Sequence, residues 1–67
     1  MPHITVQMYA GRTPEKKRAF IAALTDATVA ALGCSPEAVT IILQDVDKHD
    51  WATAGVTAAD REAGGKP

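Results

Sequence analysis

A chain of 67 residues has room for one domain, and at this size folding buries only about 60% of the surface the unfolded chain exposes, so reinforcement is needed. One cysteine, Cys34, excludes an intrachain disulfide, and no Cys/His cluster has the spacing of a structural zinc site, which leaves subunit association as the reinforcement. A formal net charge of -1 with scattered Lys and Arg excludes a nucleic-acid footprint, and no apolar run reaches the about 20 residues of a membrane helix; with no signal-peptide pattern, the expectation is a cytoplasmic protein without nucleic-acid or membrane partners.

Pro2 follows the initiator methionine directly. Its side chain is small enough for methionine aminopeptidase to clear Met1, and the processed chain then begins with a secondary amine. An α-amino group has a pKa of about 8, so about a tenth of it is a free base at pH 7. Apolar walls and neighbouring cations both enlarge that fraction. Ile4, Val6 and Met8 alternate with Thr5, Gln7 and Tyr9, the period-2 pattern of a strand over about residues 3 to 9. Gly11 breaks the pattern. Thr13-Pro14-Glu15 then reads as a helix start, with Thr13 as N-cap, Pro14 in the first helical position and Glu15 favourably placed at the positive end of the dipole. The helix spans about 14 to 32. Phe20, Leu24, Ala27 and Ala31 recur at helical spacing beside Ile21, Thr28 and Leu32, predicting one wide stripe against a sheet, and Gly33 suits a left-handed stop.

Ser35-Pro36-Glu37 predicts a turn or short helical start, and residues 39 to 46 read as a second strand. Three consecutive aliphatics, Ile41 to Leu43, imply burial on both of its faces. Strand, helix and strand make a βαβ unit with parallel pairing. Two strands are too few to stand alone; a dimer of such units gives a four-stranded sheet with helices on one face. After Asp47 periodicity is lost. Turns, a short hairpin around Gly55 and a loose tail from about residue 56 are expected, with Gly64 to Pro67 mobile.

The pattern of Pro2, the strand Ile4 to Tyr9, the Gly11-Arg12-Thr13 turn, a helix carrying Glu15-Lys16-Lys17, and the strand Val39 to Val46 resembles the 4-oxalocrotonate tautomerase family over about residues 2 to 55. The resemblance implies an α/β (α+β) fold, a single tautomerase-like domain over residues 1–67 with Met1 removed, and assembly into a homohexamer built as a trimer of dimers. It implies that Pro2 is the catalytic general base, that Arg12 binds a substrate carboxylate, and that Trp51 lines the pocket. Trp51 reads equally as packing at a subunit interface, and the two roles are compatible. Tyr9 stands where the family usually has an aliphatic residue beside the substrate. It either donates a hydrogen bond to an oxyanion or narrows the pocket.

One position departs from the family. Members acting on dicarboxylates carry a second arginine early in the second strand, where this chain has Thr40. Lys48, His49 or an arginine from another chain is then left to supply a second cation, although Asp47 to Asp50 otherwise reads as a solvated charged turn. His3 alternates to the face opposite Pro2. With no trio of metal-ligating side chains, the expected enzyme uses no metal and no cofactor. Its expected reaction moves a proton in a small 2-hydroxy-dienoate or 2-oxo acid. Decarboxylation, hydration or dehalogenation with a protonated Pro2 as general acid is the alternative reaction, and a non-catalytic oligomeric small-molecule binder is the alternative class.

Overall fold

The computed structural model of the chain describes residues 1–64. Strand β1 (His3–Tyr9) and strand β2 (Thr40–Val46) pair in parallel over their full lengths, from His3 opposite Thr40 to Tyr9 opposite Val46. Helix α1 (Pro14–Leu32) makes the crossover, so the unit is β-α-β with parallel strands. Pairing continues past both strand ends, where the Thr40 amide donates to the Pro2 carbonyl at 3.1 Å and the Ala10 amide to the Val46 carbonyl at 3.0 Å.

Capping chemistry sets the helix bounds where the sequence predicts them. Thr13 has extended backbone angles and its hydroxyl accepts from the Lys16 amide at 3.2 Å, satisfying a donor that has no partner inside the helix. At the other end Gly33 takes φ 71 and donates its amide to the Val29 carbonyl at 2.9 Å, a left-handed stop that needs a residue without Cβ strain. Residues Pro36–Ala38 form a single 3-10 turn before β2.

Ile4, Val6 and Met8 point to the face of the sheet that carries α1 and are half-buried there. The Lys17 ammonium crosses from the helix to Asp45 of β2 at 2.6 Å, and Lys16 and Phe20 line a cleft with Val6 and Met8. The covered stripe of α1 runs through Lys17, Leu24, Thr25, Thr28 and Val29. It is narrower than the predicted stripe and rotated from it, because one helix over two strands covers little apolar surface. Phe20, Ile21 and Leu32 remain exposed, Leu32 at 66%. The hydroxyls of Thr25 and Thr28 donate to the Ile21 and Leu24 carbonyls, which pays their desolvation within the helix itself.

The opposite face of the sheet is a ladder of polar pairs. His3 Nδ1 lies 2.7 Å from the Thr40 hydroxyl, His3 Nε2 lies 3.1 Å from the Thr5 hydroxyl, and Gln7 Nε2 donates to Gln44 Oε1 at 3.0 Å. Ile42 sits among them with 54% of its surface exposed, so burial of β2 on both faces is not achieved within one chain.

Beyond β2 the chain is more ordered than a loose tail. A 3-10 turn (Lys48–Asp50) leads into a hairpin of β3 (Ala52–Thr53) and β4 (Val56–Thr57), then helix α2 (Ala58–Glu62). The hairpin around Gly55 forms as expected, and Ala54 at φ 53 with Gly55 at φ 80 supplies the two positive φ values of a two-residue turn. The expected tail is corrected because the Thr57 hydroxyl accepts from the Asp60 amide at 3.1 Å and starts a helix whose short length left no periodicity to read. Residues 65–67 of that tail lie outside the described residues. Val56 and Ala58, each 6% exposed, are the buried apolar side chains of the described region.

Candidate active site

The two ends of β1 carry different chemistry. At its start Pro2 is half-buried and tied through its carbonyl to Thr40. Thr40 itself is engaged by His3, on the exposed face. At the other end Tyr9, Ala10, Gly11, Arg12 and Lys48 line a cavity of about 300 Å³. Arg12 also lines the apolar cleft of about 430 Å³ with Val6, Met8, Lys16 and Phe20. Arg12 therefore borders both a polar pocket and an apolar one, and its guanidinium is a donor suited to an anionic group.

The last turn after β2 positions the aromatic residues. Asp47 caps the 3-10 turn, its carboxylate accepting from the His49 amide at 2.8 Å and lying 2.7 Å from His49 Nδ1. The hydrogen bond donated by the His49 amide, and then the contact with the His49 ring, hold the Asp47 carboxyl below its ordinary value of 3.8. Trp51 follows, its carbonyl accepting from the Ala58 amide at 2.7 Å, while Arg61 donates to the Thr53 carbonyl at 2.9 Å and fastens α2 onto the hairpin. The Trp51 ring meets Tyr9 edge to face, with centroids 4.9 Å apart and planes at 71°. Lys48 Nζ lies 5.4 Å from the centroid of the same Tyr9 ring.

Of the residues singled out in the sequence, the structure brings Arg12 and Tyr9 into one cavity. Trp51 stands behind Tyr9 and lines a separate cavity of about 270 Å³ with Gln7, Val46, Asp50 and Ala52. Pro2 is at the far end of β1, and at about 3.3 Å per residue a seven-residue strand keeps it more than about 20 Å from Arg12 in the same chain. Sequence reasoning left Lys48 among several possibilities; the structure sets it in the cavity of Arg12 and leaves His49 on Asp47. Glu62, which pairs with Lys48, went unnoticed in the sequence, and no spacing signal marks a contact between a turn and a helix fourteen residues later. Among the described residues no helix is long and apolar enough to cross a membrane.

Residues 2–61 match the family model described as Tautomerase enzyme. A probable tautomerase of Ralstonia nicotianae is 48% identical over 56 residues, 84% of this chain and 80% of the relative. The 2-hydroxymuconate tautomerase of Bacillus subtilis is 36% identical over 62 residues, 92% of this chain and all (100%) of that protein. A 4-oxalocrotonate tautomerase isozyme of Methylibium petroleiphilum superimposes with a TM-score of 0.92 at 38% identity, covering 94% of this chain and 98% of its own. A heterohexamer 4-oxalocrotonate tautomerase of Chloroflexus aurantiacus gives a TM-score of 0.86 at 30% identity, covering 90% and 97%. The chain belongs to the tautomerases, in the 4-oxalocrotonate tautomerase family.

Proposed function

We propose that this protein is a cofactor-independent tautomerase that moves a proton in a small 2-hydroxy-dienoate or 2-oxo acid, with the amine of Pro2 as general base after removal of Met1. The observation that carries the reading is the placement of a half-buried Pro2 at the head of β1 in a tautomerase fold whose other strand end offers Arg12 in a cavity. The similarity to a 2-hydroxymuconate tautomerase supports the substrate class. Neutral Pro2 takes the proton of the enol hydroxyl or of an activated carbon and returns it elsewhere on the conjugated system. Arg12 holds the carboxylate and stabilises the negative charge that develops during transfer. Tyr9 narrows the cavity, and Trp51 shields it from water through its contact with Tyr9.

The separation along β1 makes the working site intermolecular, with Pro2 of one chain facing Arg12 of another. A homohexamer of three dimers, each with a four-stranded sheet and its helices on one face, satisfies that requirement. The Chloroflexus neighbour is itself a hexamer, although of two chain types. The cytoplasm is the proposed compartment.

Intact mass and steady-state kinetics test the reading. The mature chain is expected to lack Met1, and Pro2→Ala is expected to lose about 100-fold in kcat/KM with 2-hydroxymuconate, the lower end of a general-base contribution because alanine leaves a primary amine. Retained Met1 or an unchanged Pro2→Ala variant removes the mechanism. Arg12→Ala should act mainly on KM, raising it about 10-fold or more through loss of a charge-assisted hydrogen bond. If catalysis falls rather than rises as pH passes upward through the Pro2 pKa, protonated Pro2 acts as an acid and the reaction is of the hydratase or decarboxylase kind.

A further inference from the structure

Lys48 forms a wall shared by two cavities. On one side is the pocket of Tyr9, Ala10, Gly11 and Arg12; on the other is a pocket of about 610 Å³ lined by Ala10, Asp47, His49, Ala59, Glu62 and Ala63. The ammonium is paired with the Glu62 carboxylate of α2 and lies beside the Tyr9 ring. An ammonium carries three donors on a flexible four-carbon stem, so one carboxylate does not exhaust it and a modest rotation redirects it. Both partners are substantially exposed, 36% for Lys48 and 59% for Glu62, so solvent screens the pair and a competing carboxylate can replace it.

We propose that Lys48 is the second anion-binding residue of the Arg12 pocket, that it takes the far carboxylate of a dicarboxylic substrate, and that Glu62 is an internal carboxylate which such a substrate displaces. This rests on the tautomerase reading above and narrows its substrate to a dicarboxylate. Two cations lining one cavity provide two carboxylate positions. The competing candidates stand elsewhere: His49 is bound to Asp47 and lines the second cavity, and Thr40 is at the other end of the sheet with His3. Lys48 is a binding residue in this scheme, and Glu62 acts through it.

The test compares binding of muconate and sorbate, six-carbon dienoates with two carboxylates and one, by calorimetry on the assembled protein. Wild type is expected to bind muconate more tightly than sorbate. Lys48→Met should weaken muconate about 10-fold and sorbate less than twofold, with Lys48→Arg restoring the preference. Glu62→Gln, which breaks the same pair but leaves the ammonium, should tighten muconate about two- to fivefold. A structural role for the pair predicts the opposite for Glu62→Gln, namely a loss parallel to that of Lys48→Met, and that result overturns the proposal. So does equal weakening of both ligands by Lys48→Met, or a wild type with no preference for muconate. Because the readout is binding, a Pro2→Ala variant with unchanged turnover would defeat the tautomerase reading while leaving the preference for muconate to decide the role of Lys48.

Discussion

Asp47 shows how much one exposed side chain organises after β2. Its carboxylate accepts from the His49 amide and meets the His49 ring, and these contacts, the amide first, lower its pKa from the ordinary 3.8. A depressed folded-state pKa means that the charged form is favoured by folding. The resulting stability is therefore complete well above the ordinary value and is lost as pH falls through the lower folded value. Wild type should melt above Asp47→Ala at neutral pH, with the gap narrowing below about pH 4 as the unfolded carboxyl and then the folded one protonate. A gap that is the same at pH 3 and pH 7 would remove the carboxylate from the capping of this turn. Other residues are legible in the sequence itself. Thr13, Pro14 and Gly33 act at helix ends through local backbone chemistry, and such chemistry depends only on neighbours in the chain. Lys48 and Glu62 were not legible as a pair, since their contact is made by a fold that brings α2 back to the turn before it.

At the scale of elements, β1, α1 and β2 follow from periodicity and caps within a residue of their predicted bounds, whereas the hairpin and α2 are too short to carry a period. The hairpin deserves a mutational test because it uses an unfavourable residue. Ala54 adopts φ 53 in the first position of the two-residue turn, where a Cβ is strained and asparagine is better tolerated. Ala54→Asn is expected to stabilise the protein by about 0.5–1 kcal/mol, read as a rise in melting temperature without change in the circular dichroism spectrum. A fall in melting temperature would mean that the alanine side chain makes contacts that outweigh the turn. The same hairpin holds Trp51 behind Tyr9 through the bond from the Ala58 amide to the Trp51 carbonyl. Its stability therefore bears on the wall of the Arg12 cavity.

The single chain is extended for its length, as the proposed association of subunits requires. Its radius of gyration is 15.6 Å, with extents of 47 × 24 × 14 Å, against about 11 Å for a compact chain of this length. Among the described residues both edges of the two-stranded sheet are unpaired, and Phe20, Ile21, Leu32 and Ile42 are exposed apolar side chains. Ile42 lies on the face away from α1, and in the proposed hexamer it is expected to be buried there. Ile42→Lys is expected to shift the mass measured by light scattering from hexamer to smaller species and to make the melting temperature depend more steeply on protein concentration. A hexamer of unchanged stability would place the subunit contacts on another face.

The sequence by itself determined the β-α-β order, the parallel pairing, the helix ends and the family, because these rest on local periods, on capping residues and on a motif written in adjacent positions. Only the tertiary structure decided which side chains share a cavity. It joined Tyr9, Arg12 and Lys48 across 39 residues, put Trp51 behind Tyr9 and held Pro2 apart from them all, since an extended strand separates its ends by its full length while a fold sets no limit on how close distant residues come.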